Sequence, residues 1–345
     1  PIVTRGIIMH TEARPAREEG FDLLRFATIA CVVAMHGAMT FMKYVPPWWY
    51  VIDSRQSLSF TFIVIILDSF PMSLLFFLAG YFAPCSLARR GTGSFIRAKL
   101  FRLGVPWVAG VLLVAPFLAR ASLDSLGIGP LSVQDFLWGF FAGVYYQQGQ
   151  FWFLGILLFF MLAYALWGKA LPRRALVNQD LEGRDSNGKD LHEQNATGRD
   201  PGGQDSTDWE ASRQNARLSK RDALQVHSGN FSVLAIAAVV TAASYALSCL
   251  YVAPPDAWLD LGRVLYFQPA RLAGYAGFFW LGTHGAGRGW FRPGGWKPDA
   301  AFWGLIAVAM LFIRMAWPFV PAVVPGLPER PLPQPCIPAL GWGGV

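Results

Sequence analysis

The sequence predicts an all-α protein that folds as a polytopic bundle of transmembrane helices. Of its 345 residues, 54% are apolar. Only 15% are charged, whereas a soluble domain has about 25% charged residues. The apolar residues also come in long uninterrupted blocks, which is typical of membrane spans. These observations exclude an ordinary soluble enzyme.

The basic character of the chain fits a membrane protein better than a nucleic-acid-binding protein. The net charge is +7 and the isoelectric point is near 9.4. The lysines and arginines cluster in the segments between apolar blocks, which indicates membrane topology and not a nucleic-acid-binding patch. We therefore expect membrane lipid as a partner and no nucleic acid.

Seven apolar blocks are candidates for membrane spans, because a helix needs about 20 residues to cross the bilayer. The second block is interrupted by Asp68 and Pro71, so we expect a surface helix that bends into the true span near Pro71. The stretch from Phe136 to Tyr146 is too short to cross and is expected to lie in the interface or to re-enter. The seven blocks are residues 22–42, 60–84, 103–120, 151–168, 231–252, 264–283 and 300–320.

The distribution of basic residues predicts that the N-terminus is cytoplasmic. With this orientation the inner segments 1–25, 85–102, 169–230 and 284–299 hold 22 of the 29 lysines and arginines. The short segment 85–102, with five of them, decides the orientation. We expect an integral protein of a bacterial cytoplasmic (inner) membrane.

The chain divides into a cytoplasmic tail, a membrane domain and a terminal segment. The tail is 1–20 and the membrane domain is 21–320. Residues 178–230 interrupt the domain with a polar, Gly- and Asn-rich insert that cannot bury a core, so we expect it to be disordered and cytoplasmic. The Pro-rich segment 321–345 cannot be helical, and we interpret it as the mark of a truncated or frame-shifted product.

Two ionisable residues in the first span form the sharpest local feature. Arg25 and His36 are eleven residues apart, so they face the same way with an axial separation of about 16 Å. This places Arg25 near the inner interface and His36 near mid-membrane. A neutral imidazole there could act as a general base towards a hydroxyl. The alternative is a helix–helix hydrogen bond for His36 and a snorkelling Arg25 paired with Asp22.

Three basic residues at the inner mouth of the third span are candidates for an anion site. Arg97, Lys99 and Arg102 precede the sequence Gly-Val-Pro at 104–106. Arginine is suited to phosphate groups, so a nucleotide-containing thioester would fit. The topology signal alone would produce the same charges.

For other polar and aromatic residues, the sequence supports less specific interpretations. Arg271 of the sixth span could snorkel or pair with Asp68 or Asp260. Trp48 and Trp152 lie at the outer ends of two spans and suit an interfacial aromatic belt, with stacking on a sugar as the alternative. The four cysteines have no metal-binding spacing, so no metal site is predicted.

Several of these segments together resemble the acyltransferase-3 family of membrane proteins. Arg25, ten residues and His36 are similar to its first-span signature, and the run 72–82 resembles the end of its second span. A basic inner loop that closes at residues 102–106 follows, as in the family. Residues 151–154 and 274–282 resemble the openings of later spans. The nearest branch resembles the enzyme that succinylates osmoregulated periplasmic glucans, glucan biosynthesis protein C.

The resemblance implies a bundle of about ten helices that transfers an acyl group from cytoplasmic acyl-CoA. The acceptor would be a hydroxyl of a periplasmic or cell-surface glycan, and the acyl group could be succinyl or acetyl. His36 would be the catalytic histidine and Arg25 its partner. Arg97 and Arg102 would hold the donor phosphates. No tightly bound cofactor is implied, since acyl-CoA is a substrate.

The sequence departs from the family by showing about seven spans of the ten. Two alternatives therefore stand beside a membrane O-acyltransferase. One is a transporter in which Arg25 and His36 line the substrate or proton pathway. The lack of an inverted repeat in the sequence argues against a transporter. The other is a non-catalytic remnant of an acyltransferase.

Overall fold

A computed structural model describes most of the apolar part of the chain. The described residues are 16–46, 49, 51–127, 131–170, 230–231, 233–240, 242–243, 258–291, 296 and 298–316. They are predominantly helical, which confirms the predicted all-α class. Four helical stretches are long and apolar enough to cross a membrane, and they match the first four predicted spans. These are Gly20–Met39, Leu58–Arg90, Thr92–Ser125 and Gly149–Gly168.

The first three helices form an antiparallel hairpin with a bend in its second arm. Helix α1 is Ala16–Met39, α2 is Leu58–Asp68 and α3 is Pro71–Arg90. The predicted bend near Pro71 is confirmed, because the helical hydrogen bonding breaks between α2 and α3. Proline has no N–H to donate, and it disfavours helical geometry in the residue before it.

The segment 85–102, expected as an inner loop, is almost wholly helical. Helix α3 continues to Arg90, and α4 begins at Thr92 after a single residue, Gly91. Gly91 has φ +72°, a conformation that glycine adopts without steric cost. The sequence prediction failed here because charged residues at the ends of membrane helices resemble a loop in composition.

Helix α4, Thr92–Ser125, contains two π-helical stretches. They span Leu100–Gly104 and Gly110–Val114, and each ends two residues before a proline, Pro106 or Pro116. Because proline cannot donate the usual helical hydrogen bond, the preceding turn widens to i→i−5 bonding.

The remaining elements include one short hairpin that the sequence analysis missed. Helix α5 is Val133–Phe141 and α6 is Trp152–Ala170. As predicted, α5 is too short to cross the membrane. The strands β1, Leu259–Leu261, and β2, Leu265–Phe267, pair antiparallel, and the helices α7, Pro269–Gly287, and α8, Ala300–Ala316, follow them. The hairpin occupies the start of the predicted span 264–283, so α7 begins only at Pro269, whose fixed φ suits the first turn of a helix.

The main core lies where α3, α4, α6 and α7 meet. Phe76 of α3 is fully buried at its centre. Its ring centroid lies 4.8 Å from that of Tyr275 on α7 and 5.0 Å from that of Phe153 on α6. This packing fixes α7 beside α3 and places the start of α7 near the end of α2.

Several predictions fall outside the described residues. They concern residues 1–15 of the tail, 178–229 of the insert, most of the predicted span 231–252, Trp48, and the terminal segment 321–345. Within the fifth predicted span, residues 233–240 are helical.

Candidate active site

His36 lies in the last turn of α1, on the partly buried side that faces α2 and α3. Its Nδ1 atom is 2.7 Å from the carbonyl oxygen of Val32. A carbonyl oxygen can only accept a hydrogen bond, so Nδ1 donates. We therefore assign the lone pair of the neutral imidazole to Nε2. This leaves Nε2 able to accept a proton.

The position of His36 along α1 differs from the sequence prediction. The helix ends only three residues later, at Met39, so His36 lies near one end of the span Gly20–Met39 and not at its middle. The predicted common face is confirmed, since Arg25 and His36 are both part-buried on one side of α1. The difference arises because the predicted span 22–42 extended into the loop after α1.

The loop that follows α1 returns to His36 through Trp49. The Trp49 indole is buried, and its centroid is 5.5 Å from that of the imidazole. Its Nε1 donates to Thr40 Oγ1 at 3.2 Å. The candidate Trp48 is the neighbour of this residue but lies outside the described part of the chain.

An ion pair brings α7 to the same end of α1. Arg271 Nη1 donates to Asp68 Oδ1 at 2.8 Å. Of the alternatives that the sequence left for Arg271, the structure therefore shows pairing with Asp68. Asp68, the last residue of α2, also interacts electrostatically with His36. Arg271 hydrogen-bonds the side chain of Tyr275 one turn further along α7. The four side chains come from three helices.

Trp152 lies beside this group, at the start of α6. Its ring centroid is 5.6 Å from that of Tyr275 and 5.4 Å from that of Trp258, just before the hairpin. Trp152 is only partly buried. The structure therefore connects this predicted substrate-binding residue to Arg271 through Tyr275.

A polar network, missed in the sequence, anchors the hairpin next to Trp152. Gln148 is fully buried and accepts from Trp107 Nε1 at 3.1 Å. Its Nε2 donates to the Tyr146 hydroxyl at 3.0 Å and to the Val264 carbonyl at 3.2 Å. Arg263 donates to the carbonyls of Phe140 and Gly143. Nothing in the sequence around Gln148 distinguishes it from its polar neighbours.

Burial in this region also affects the tyrosine side chains of the network. Burial raises the pKa of Tyr266 to about 12, with smaller contributions from Asp260 and Tyr146. Burial likewise raises the pKa of Tyr146, opposed by its hydrogen bond with Gln148. Both phenols are therefore neutral at physiological pH, and Tyr146 donates to the Arg263 carbonyl.

The other end of α1 carries a basic cluster, which we define as Arg25, Arg90, Lys99 and Arg102. Lys99 interacts electrostatically with the three arginines. Arg25 is held by Asp22, at 3.0 Å, and by the Phe82 ring, whose centroid lies 4.3 Å from the guanidinium carbon. Among the described side chains, the one carboxylate recorded beside these four positive charges is Asp22. Such an excess of positive charge can attract an anion.

The predicted set Arg97, Lys99 and Arg102 is divided by the structure. Lys99 is half-buried and belongs to the basic cluster, whereas Arg97 is exposed and lies over Phe101. Residues two apart on a helix point to different sides, which explains the division. Arg90 joins the cluster although the sequence singled it out only as a topology signal.

The described residues contain no group of three His, Cys, Asp or Glu side chains that could hold a metal ion. The chemistry available to the described residues is proton transfer at His36 Nε2 and anion binding at the basic cluster. The two are about 16 Å apart along α1.

Comparison with known protein families matches residues 18–334 to the family Acyl_transf_3, described as an acyltransferase domain. The match includes Arg25 and His36 of α1, the α3–α7 core and the hairpin. The chain belongs to the acyltransferase-3 family. Comparison with curated proteins gives no match, and comparison with solved structures gives none either.

Family membership and the apolar helices together make this acyltransferase-3 protein an integral membrane acyltransferase. The sequence motifs that suggested the family also have physical roles in the fold. The runs 72–82 and 274–282 lie on α3 and α7, which pack directly against each other.

Proposed function

We propose that the protein transfers an acyl group from cytoplasmic acyl-CoA to a hydroxyl of an extracytoplasmic glycan. The observation that carries this proposal is the placement of a proton acceptor and an anion site on one side of α1. His36 Nε2 is free to accept a proton, and the basic cluster lies at the opposite end of the same helix.

The basic cluster suits the donor because the nucleotide part of CoA carries several phosphate charges. Lys99, Arg102 and Arg90 would contact these phosphates together with Arg25. The long arm between the nucleotide and the thioester suits the separation from His36. A compact anion would occupy the cluster but would not reach the imidazole.

The transfer step follows from the assigned tautomer. The acceptor hydroxyl oxygen attacks the thioester carbonyl carbon while its proton passes to His36 Nε2. The tetrahedral intermediate collapses, the C–S bond breaks, and the CoA sulfur takes the proton back from the imidazolium. An ester and free CoA thiol are formed, and His36 returns to its starting state.

Trp152 and Trp258 suit a sugar acceptor. Trp152 packs against Trp258 and against Tyr275, which hydrogen-bonds Arg271, and indole rings pack well against the apolar face of a sugar ring. We infer a periplasmic or cell-surface glycan on this basis. Succinyl transfer to a glucan remains the most specific expectation from the resemblance.

The orientation belongs to the same proposal. The basic cluster would lie at the cytoplasmic side and His36 near the outer side, in keeping with the excess of basic residues in the inner segments. Single cysteines placed at Arg97 and at Arg55 in a cysteine-free background would test this. A membrane-impermeant maleimide should label intact cells at position 55 and only opened cells at position 97.

The activity is tested with acyl-CoA carrying a labelled acyl group, incubated with vesicles that contain the protein and a periplasmic glucan. Label should enter the glycan with the wild type and not with His36→Ala. The matched control is His284→Ala, a partly buried histidine at the far end of α7, which should transfer label normally. Transfer that is indifferent to His36→Ala would contradict the mechanism.

Absence of transfer by well-folded wild-type protein would contradict the proposed donor or acceptor. Uptake of a labelled solute by the same vesicles would then favour the transporter that the sequence left open. Absence of transfer and uptake of a solute would each contradict a catalytic role for His36.

A further inference from the structure

The Asp68–Arg271 pair occupies an unusual place for two charged residues in a membrane protein. Asp68 is the last residue of α2, and Arg271 lies in the first turn of α7. A helix C-terminus disfavours a negative charge and a helix N-terminus disfavours a positive one. Each residue therefore opposes the dipole of its own helix. Stability of the individual helices does not explain either charge.

The two charges are compensated only when the bundle is assembled. Arg271 then donates to Asp68 at 2.8 Å, and each charge lies at the helix end that suits it on the opposite helix. Their side chains are 33% and 23% exposed, so both lie mostly among the helices. Ionisable side chains that face the interior of a membrane bundle are costly and indicate a function.

The geometry points to a supporting role for this pair in the reaction at His36. We propose that Asp68, held by Arg271, stabilises the imidazolium that His36 becomes when it accepts the acceptor's proton. Both residues act as positioning residues and neither touches the substrate. This inference rests on the proposed acyl transfer, because it assigns the pair to the same site.

The contacts of the imidazole explain why a charge is needed there. Nδ1 is hydrogen-bonded to the Val32 carbonyl, a neutral acceptor on the same helix. The loop residue packed against the ring is Trp49, which does not titrate. From α2, Leu67 packs against the cluster that contains Met35 and Met39 of α1, and the adjacent Asp68 interacts electrostatically with the imidazole. Arg271 of α7 donates to the Asp68 carboxylate and also hydrogen-bonds Tyr275. Within α1 the nearest charged residue is Arg25, about 16 Å away along the axis.

Arg271 has two effects that can be separated. It holds the carboxylate in place, and its own positive charge reduces the field of that carboxylate at the imidazole. Removing Asp68 leaves a positive charge near His36, which disfavours the imidazolium. Removing Arg271 leaves an uncompensated negative charge, which favours it. The two substitutions therefore act in opposite directions on the pH dependence.

The test is the pH profile of acyl transfer for Asp68→Asn, Arg271→Gln and the double variant. We expect each single variant to lose roughly tenfold in kcat/KM, a part of what a general base contributes. The acid limb should move to lower pH in Asp68→Asn and to higher pH in Arg271→Gln, by about half a pH unit or more. The double variant should return close to the wild-type profile.

The double variant also protects the test against misfolding, because it leaves no unpaired charge. The control is Asp124→Asn, which breaks the Arg120–Asp124 pair of α4 and should leave both rate and profile unchanged. Shifts in the same direction in both single variants, or no shift in either, would overturn the inference and leave the pair a structural clamp.

A second measurement separates this inference from the proposed function. The protein is labelled with ¹³Cε1-histidine, and the His36 resonance is assigned by its loss in His36→Ala. Its titration, recorded in detergent without substrate, should respond to Asp68→Asn and Arg271→Gln in opposite directions. If the resonance responds in this way but the protein transfers no acyl group, the role of the Asp68–Arg271 pair at His36 stands and the proposed acyl transfer is wrong. An unresponsive resonance would reject the pair whatever the activity.

Discussion

Gly80 of α3 lies against the backbone of Phe279 on α7 so closely that a Cβ atom at position 80 would collide with the Phe279 carbonyl. Gly282 of α7 lies in the same way against the backbone of Phe77 and Tyr81 on α3. In a membrane, helices associate through such close approaches of small residues, because lipid tails are as apolar as the side chains they would replace.

Substitution at this crossing should separate α3 from α7. We expect Gly282→Ala to destabilise the protein by about 1–3 kcal/mol, as in other overpacked cores, because the added carbon would lie 2.7 Å from the Tyr81 nitrogen. The measurement is thermal unfolding in detergent. Gly274→Ala on the same helix is the control, since no atom lies within 4 Å of the added carbon. Equal effects of both substitutions would contradict the close approach.

The basic cluster predicts which cationic residues matter for the donor. Lys99→Gln and Arg90→Gln should each raise KM for acyl-CoA by about tenfold, since each removes one charge next to the phosphates. Arg89→Gln is the matched control, because Arg89 is adjacent in sequence but is not among the electrostatic neighbours of Lys99. Arg97→Gln should have a smaller effect than Lys99→Gln. A larger effect of Arg97→Gln than of Lys99→Gln would instead support the assignment made from the sequence, in which Arg97 holds the donor phosphates.

The buried amide of Gln148 predicts how the hairpin is held. Gln148→Leu should cost about 1–3 kcal/mol, because the partly buried Trp107 and Tyr146 each lose their hydrogen bond with the Gln148 amide. Limited proteolysis at residues 259–267 should accelerate in this variant. Gln150→Leu, an exposed position in the same segment, should leave the cleavage rate unchanged. Unchanged proteolysis in Gln148→Leu would show that packing alone holds the hairpin.

Tyr266 predicts a pH window for stability at the same hairpin. Burial raises its pKa to about 12, whereas a tyrosine in an unfolded chain titrates near 10. The stabilisation is therefore complete below about pH 10 and is lost as the pH rises towards about 12. Difference absorbance between the wild type and Tyr266→Phe should show a phenol titrating in this upper range. A phenol that titrates near pH 10 would mean that the hairpin is solvated.

The sequence predicted the parts of the fold that depend on local composition. Long apolar blocks predicted the first four spans, Pro71 predicted the bend between α2 and α3, and the spacing of Arg25 and His36 predicted their common face. Each of these follows from helix geometry or from a single residue's backbone chemistry. The helical nature of 85–102 did not follow, since end-of-helix charges and loop charges look alike in sequence.

The sequence by itself therefore determined the all-α membrane class, the family resemblance and the two residues of α1 that carry the proposed chemistry. Only the tertiary structure decided that Asp68 and not Asp260 pairs with Arg271, that Lys99 joins Arg25 and Arg90 while Arg97 does not, and that Gln148 is buried. The reason is physical: each of these relations depends on how separate helices and loops pack against one another, which no local pattern specifies.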